Sequence, residues 1–161
     1  MRIVIIYHSY SGITRGIAER IQAACGGSLI EVKPLKAYNR ISAYTIGCLR
    51  ARGEEAEPVD PAIIDVATSD LIVIGTPVWA WKATPVTNGA INALKNCGGK
   101  RAFVFATCGG QAGETIPIMK RALQQKGVTV IGESVLTKKD IKDEIKVAEL
   151  VDAVKAAAGS S

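Results

Sequence analysis

The chain has 161 residues, of which 48% are hydrophobic and 22% charged, and its formal net charge is +5 at pH 7. This length suits one domain with a buried core, so we expect residues 1–161 to form a single domain. No apolar stretch approaches the roughly 20 residues of a membrane span, and the N-terminus lacks a secretory signal, which indicates a cytoplasmic protein without a membrane span. The basic residues are spread along most of the chain, so we expect no nucleic-acid partner.

Cysteine and histidine residues are too few and too scattered to predict a metal site. Cys25, Cys48, Cys97 and Cys108 share no CxxC spacing, and His8 is the single histidine. We therefore expect four free thiols and no metal ligands. We also expect His8 to lie near solvent at the end of a strand.

Strands and helices alternate five times along the chain. Short apolar runs rich in β-branched residues, without alternation of polar residues, predict buried strands at residues 3–6, 29–32, 71–74, 102–106 and 128–136. Apolar residues at helical spacing predict helices at residues 13–24, 86–94, 116–123 and 141–154, and a weaker helix at residues 39–52. Asp140 is the predicted N-cap of the last helix. This order predicts a three-layer α/β fold, a parallel sheet with helices on both faces.

Hydroxyl residues follow the first predicted strand, at the sheet edge where α/β proteins bind ligands. The stretch is Ser9, Tyr10, Ser11, Gly12, Ile13 and Thr14. A helix N-terminus presents unpaired N–H groups that favour an anion, glycine lets the backbone approach closely, and hydroxyls can complete a phosphate shell. Taken alone, the stretch equally fits a simple N-cap and turn.

Both tryptophans of the chain follow the third predicted strand. They lie in the stretch Thr76, Pro77, Val78, Trp79, Ala80, Trp81 and Lys82. Exposed indoles in a loop stiffened by prolines are a suitable platform for a flat aromatic ring. A purely structural role, filling the space beneath the loop, is the alternative.

A glycine-rich loop follows the fourth predicted strand. It contains Thr107, Cys108, Gly109, Gly110, Gln111 and Gly113. Its backbone N–H groups and Gln111 could bond the carbonyl-bearing edge of a heterocycle, although a glycine turn without a ligand is also compatible with the sequence. At one sheet edge, a phosphate cradle, an aromatic platform and a polar edge together indicate flavin mononucleotide (FMN).

Other phosphate-binding motifs are absent from the sequence. The chain has no GxxxxGK[ST] loop, no GxGxxG after the first strand, and no arginine six residues after a cysteine. Nucleoside triphosphates, dinucleotides bound in the manner of a Rossmann fold, and phosphatase chemistry of the Cys-x5-Arg kind are therefore disfavoured.

The stretch Ser9–Thr14 matches the flavodoxin motif [ST]-x-[ST]-G-x-[ST], and Thr76-Pro77-Val78-Trp79 matches the loop that carries a ring-stacking aromatic. The chain thus resembles the short-chain flavodoxins over essentially its whole length. The resemblance implies strand order 2-1-3-4-5 and non-covalent FMN. It implies that the first loop holds the phosphate, Trp79 or Trp81 covers the ring, and residues 107–113 hold the pyrimidine edge.

Two features depart from that family pattern. Flavodoxins are strongly acidic and dock on basic partners, whereas this chain carries +5 and has Lys82 in the ring-binding loop. A cation in that loop is expected to raise the reduction potential of the flavin. Because of its positive net charge, this chain also requires either a partner different from those of acidic flavodoxins or an acidic docking face of its own. The third loop also lacks the usual tyrosine, so one ring face is expected to stay open unless Trp81 covers it.

These observations predict an electron-transfer protein that carries low-potential electrons on FMN between redox partners, such as ferredoxin-type donors or acceptors. The open ring face supports an alternative, an FMN-dependent NAD(P)H or quinone oxidoreductase. A flavin-free interaction module of the same fold is a third interpretation. The basic run within residues 39–52 is either a solvated helix face or a partner surface.

Overall fold

The computed structural model of the protein describes residues 1–159. Its main strands are β1 (Ile3–Tyr7), β2 (Ser28–Glu31), β3 (Leu71–Trp79), β4 (Arg101–Cys108) and β5 (Thr129–Thr137). Its helices are α1 (Ile13–Cys25), α2 (Arg40–Ser42), a π-helical turn (Ala43–Gly47), α3 (Cys48–Arg52), α4 (Pro85–Ala93), α5 (Thr115–Gln125), α6 (Lys138–Asp143) and α7 (Ile145–Gly159). Short strands at Lys33–Pro34 and Val59–Asp60 pair with each other, and Ile64–Asp65 pairs with Leu94–Lys95.

The five main strands form a parallel sheet in the order β2-β1-β3-β4-β5. This is the predicted order 2-1-3-4-5, and the three-layer α/β fold is confirmed. Strand order reverses between β1 and β3, so the loops after these strands diverge at the switch point where such sheets bind ligands. The loops predicted to form the site therefore lie at one edge of the sheet.

Helices cover the two faces of the sheet and bury separate cores. On one face, alternate residues of β1 such as Val4 and Ile6 pack with apolar residues of α4 and α5. On the other face, Ile3 and Ile5 pack with α1 and α7. Because both faces are covered, β1 is buried at every position, which explains why its sequence shows no alternation of polar residues.

The prediction that Asp140 is the N-cap of the last helix is wrong. Thr137 is the N-cap: its hydroxyl oxygen accepts from the Asp140 N–H at 3.2 Å, and the Asp140 carboxylate accepts from the Thr137 N–H at 2.8 Å. This reciprocal capping box places Asp140 three residues inside α6. The single predicted helix is also two helices, because Glu144 adopts a left-handed φ of 60° between α6 and α7.

The predicted weaker helix at residues 39–52 is present, and it is irregular. Asn39 caps it, and a π-helical turn separates α2 from α3. Such π-helical turns are rare in proteins, and those that occur are often found at functional sites. Within residues 1–159, no helix is long and apolar enough to cross a membrane, and the four cysteines carry free thiols.

Candidate functional site

The loop between β1 and α1 presents unpaired backbone amides. Gly12 adopts a φ of 90°, a left-handed conformation that favours glycine and turns the chain into α1. Ser9 Oγ accepts hydrogen bonds from the N–H groups of Gly12 (3.1 Å) and Arg15 (3.2 Å). Within the described part of the chain, no group accepts from the N–H groups of four residues: Tyr10, Ser11, Ile13 and Thr14. These amides, at the positive end of the α1 dipole, are suited to an anion.

The three serine and threonine side chains of this loop have different environments. Ser9 Oγ is used within the loop, and Thr14 is buried with its Oγ1 2.8 Å from Thr107 Oγ1. This hydrogen bond joins the first loop to the end of β4. Ser11 is exposed and, among residues 1–159, has no hydrogen-bond partner for its hydroxyl. Of the three, Ser11 thus has the hydroxyl that is available to a ligand.

The second loop is a tight hairpin at the end of β3. Val78 and Trp79 pair with the antiparallel strand Lys82–Ala83. Ala80 and Trp81 form the turn with φ values of 50° and 63°, which is the backbone of a type I′ turn without its usual glycine. Gly113 also has a positive φ and packs directly against the Trp81 backbone. These constraints hold the Trp81 side chain at the hairpin tip, where 57% of its surface is exposed.

Trp79 is fixed by aromatic neighbours. Its ring makes edge-to-face contacts with His8, Tyr10 and Tyr38 at centroid separations of 6.0, 5.7 and 5.3 Å. It also packs so closely on the π-helical turn that a Cβ at Gly47 would lie 2.5 Å from a carbon of its ring. Trp79 is consequently a fixed wall of the site, whereas Trp81 is an exposed one.

His8 is buried beneath this aromatic cluster, so the expectation that it lies near solvent is wrong. Its Nδ1 is 3.2 Å from the Val32 carbonyl oxygen, which accepts a hydrogen bond from the neutral tautomer that carries its proton on Nδ1. Its Nε2 is buried and has no partner among the described residues. Burial lowers the pKa of His8 to about 4, so the side chain is neutral at pH 7.

Two adjoining cavities lie at this edge of the sheet. The larger, of about 720 Å³, lies between the helical segment 40–52 and the second and third loops. The smaller, of about 170 Å³, is lined by the first loop, β3 and the start of the third loop. They share five lining residues: Tyr10, Val78, Trp79, Cys108 and Gly109. The two cavities therefore adjoin, and the larger has the volume typical of small-molecule sites.

Most of the predicted site residues line these cavities. They are Tyr10, Ser11, Ile13, Pro77, Val78, Trp79, Ala80, Trp81, Thr107, Cys108, Gly109, Gly110 and Gln111. Six other predicted residues line neither cavity: Ser9, Gly12, Thr14, Thr76, Lys82 and Gly113. Of these, Thr76 is fully buried, and its hydroxyl donates to the Pro77 carbonyl and accepts from Thr87.

Lys82 is neutralised by carboxylates. Its ammonium lies 2.8 Å from Glu54 and 3.1 Å from Glu114, and Glu54 also pairs with Arg121 at 2.6 Å. The hydrogen bond from Lys82 lowers the pKa of Glu54. The sequence indicated an uncompensated cation in the ring-binding loop, and the structure instead gives Lys82 two anionic neighbours. Its effect on a bound flavin is correspondingly smaller.

The helical segment 40–52 contributes lining residues that the site prediction omits. They are Arg40, Ala43, Tyr44, Thr45, Cys48, Leu49 and Arg52, and α6 adds Lys138 and Ile141 to the smaller cavity. The basic run in this segment indicated a solvated helix face or a partner surface. No local sequence signal predicted that the segment would pack against Trp79. The contact of Gly47 with the Trp79 ring brings it there.

The fold and the cavities define an α/β protein of flavodoxin-like architecture with a ligand cleft at the carboxyl ends of β1, β3 and β4. A family model described as flavodoxin (Flavodoxin_4) matches residues 2–149. The chain therefore belongs to the flavodoxin family. This membership confirms the family resemblance seen in the sequence and FMN as the cofactor that it implies. A comparison with curated proteins found no match.

Solved structures share the fold at low sequence identity. A flavoprotein from Lactobacillus acidophilus in complex with FMN has a TM-score of 0.69 and 23% identity, over 88% of this chain and 97% of that one. An NADH:FMN oxidoreductase in its apo form has a TM-score of 0.62 and 15% identity, over 100% and 92%. The flavodoxin of Megasphaera elsdenii has a TM-score of 0.56 and 20% identity, over 92% and 97%. At these identities the comparison establishes the fold.

Proposed function

We propose that the protein binds FMN in the two adjoining cavities and acts as a one-electron carrier. The observation that carries the proposal is the set of unpaired amides at the N-terminus of α1, which borders a cleft walled by Trp79 and Trp81. An anion site joined to an aromatic cleft fits a phosphate on a short linker attached to a flat ring. The FMN complex of the similar Lactobacillus acidophilus flavoprotein supports this choice of ligand.

Each loop has a distinct task in this proposal. The amides of Tyr10, Ser11, Ile13 and Thr14 and the Ser11 hydroxyl bind the phosphate, with the helix dipole supplying positive potential without a lysine. Trp79 or Trp81 covers one face of the ring, and the backbone of residues 107–113 bonds its pyrimidine edge. FMN, when bound, supplies the redox chemistry, and the protein sets its potential and limits access to it.

A second candidate function, an FMN-dependent NAD(P)H or quinone oxidoreductase, is favoured by the third loop. Residues 107–113 contain no aromatic side chain to cover the ring, and Trp81 is more than half exposed. A cleft of about 720 Å³ has room for a second ring beside the proposed flavin. Hydride transfer requires such stacking, whereas one-electron transfer does not.

Reductive titration separates the two modes. The purified protein is saturated with FMN and titrated anaerobically with dithionite while absorbance is recorded. A carrier is expected to take up electrons in two resolved one-electron steps, and a single two-electron step would contradict that mode. Steady NAD(P)H oxidation with a quinone acceptor would establish the reductase instead. A cytoplasmic location and ferredoxin-type partners remain part of this proposal.

A further inference from the structure

An exposed surface of mixed apolar and basic character borders the mouth of the cleft. We call it the α2–α3 patch and define it by Ile41, Tyr44 and Leu49 together with Arg40 and Arg52. The three apolar side chains are 77%, 84% and 69% exposed. Large exposed apolar side chains grouped on one segment are typical of protein interaction sites, and tyrosine and arginine are enriched there.

The patch has uncompensated positive charge. The nearby carboxylates, Glu54, Glu55 and Glu57, are all in ion pairs with lysine or arginine. Arg40 and Arg52, in contrast, have no ion-pair partner within residues 1–159. Both arginines line the cleft, and no carboxylate within residues 1–159 does. The potential at the cleft mouth is therefore positive, and an acidic surface is complementary to it.

A small molecule would not cover the whole patch. Tyr44 and Leu49 line the cleft, whereas Ile41 does not and stays exposed beside it. A protein surface could cover all three apolar side chains while its carboxylates meet Arg40 and Arg52. Because the patch adjoins the proposed ring site, such a partner would bring its own redox centre close to the flavin.

We propose that the α2–α3 patch is the docking surface for an acidic one-electron-transfer protein, such as an iron–sulfur protein of the ferredoxin type. This inference rests on the proposed function. In each encounter the partner's iron–sulfur centre loses one electron and FMN gains one, or the reverse. The arginines steer the encounter, and the apolar side chains hold the complex.

The test uses an acidic [2Fe–2S] ferredoxin as the probe and the FMN-saturated protein. The variant Arg40→Gln/Arg52→Gln is compared with Lys95→Gln/Lys155→Gln, which loses the same charge at two exposed lysines that line neither cavity. Calorimetry gives the Kd for ferredoxin, and stopped-flow absorbance gives the rate of electron transfer at several salt concentrations. FMN affinity is measured for every variant, so that loss of flavin is separated from loss of docking.

The arginine pair is expected to raise the Kd about tenfold or more at low salt and to flatten its salt dependence, whereas the lysine pair changes it less than about twofold. Tyr44→Ser/Leu49→Ser is expected to weaken binding with the salt dependence unchanged. Equal losses in both charge variants would overturn the proposal, because net charge alone would then explain attraction. Binding to phosphatidylglycerol vesicles through the patch, without ferredoxin binding, would overturn it in favour of a membrane contact. Patch-dependent ferredoxin binding without electron transfer would support docking and contradict the proposed function.

Discussion

The hydroxyl residues of the first loop have two roles: one stabilises the protein and the other is placed to bind the ligand. Thr14 hydrogen-bonds Thr107 inside the protein, whereas Ser11 has an exposed hydroxyl at the anion site. We expect Ser11→Ala to weaken FMN binding by about 1–2 kcal/mol without loss of stability, since one hydrogen bond to a charged group is removed. Quenching of FMN fluorescence measures the affinity, and urea denaturation of the apoprotein measures the stability.

Thr14→Val is the matched comparison for this prediction. It keeps the shape of the buried side chain and leaves the Thr107 hydroxyl without its partner, so the apoprotein is expected to lose about 1–3 kcal/mol of stability. FMN affinity should fall less than in Ser11→Ala. If Thr14→Val weakens FMN binding more than Ser11→Ala while stability is unchanged, the assignment of the two hydroxyls is reversed.

His8 makes stability depend on pH in a definite direction. Its pKa is about 4 in the folded protein and about 6.5 when unfolded, so between these values the unfolded chain binds the proton and the folded one does not. The free energy of unfolding therefore decreases as pH falls through this window, by about 3 kcal/mol at most from this residue. Urea denaturation at pH 7 and pH 4.5 measures the change.

His8→Asn supplies the control, because its amide nitrogen can replace Nδ1 as donor to the Val32 carbonyl without titrating. The variant is expected to lose markedly less stability between the two pH values than the wild type. The same pH dependence in both proteins would show that other groups, such as carboxylates, account for it.

At the scale of the element, Gly47 determines how the helical segment 40–52 meets Trp79. A Cβ at Gly47 would lie 2.5 Å from the Trp79 ring, so Gly47→Ala must displace the segment or the ring. We expect a loss of about 1–3 kcal/mol in stability from overpacking, together with weaker FMN binding because the cleft wall moves. Gly53→Ala, six residues beyond the π-helical turn, would place its Cβ 3.4 Å from its nearest neighbour and serves as the control. Similar losses in both variants would contradict a specific role for the Gly47 contact.

The elements differ in how well the sequence predicted them, for physical reasons. The main strands and the loops after β1, β3 and β4 were predictable because buried runs and turn residues are local signals. The capping box of α6 was also a local signal, because Thr137 stands three residues before Asp140. The cleft wall at residues 40–52 was not predictable, since the contact of Gly47 with Trp79 joins distant parts of the chain. The ion pairs that neutralise Lys82 depend in the same way on tertiary structure.

At the scale of the whole molecule, the basic residues behind the net charge of +5 are unevenly compensated by carboxylates. The lysine of the ring-binding loop is neutralised, whereas two arginines at the cleft mouth keep their charge within the described structure. Because both arginines line the larger cavity, their positive potential acts on the proposed ring site as well as on the proposed docking surface.

The same charge distribution predicts how salt affects ligand binding. The phosphate of FMN carries a charge of nearly −2 at pH 7, and it would bind to helix amides in a molecule of positive net charge. Salt screens this attraction, so we expect FMN affinity to fall several-fold between low and high salt. Riboflavin has the same ring without the phosphate and is the matched control. It should bind more weakly, with little dependence on salt, because ring stacking on the tryptophans is not screened. Fluorescence titration of the apoprotein with both ligands measures this difference, and equal salt dependence for FMN and riboflavin would contradict a phosphate site at the N-terminus of α1.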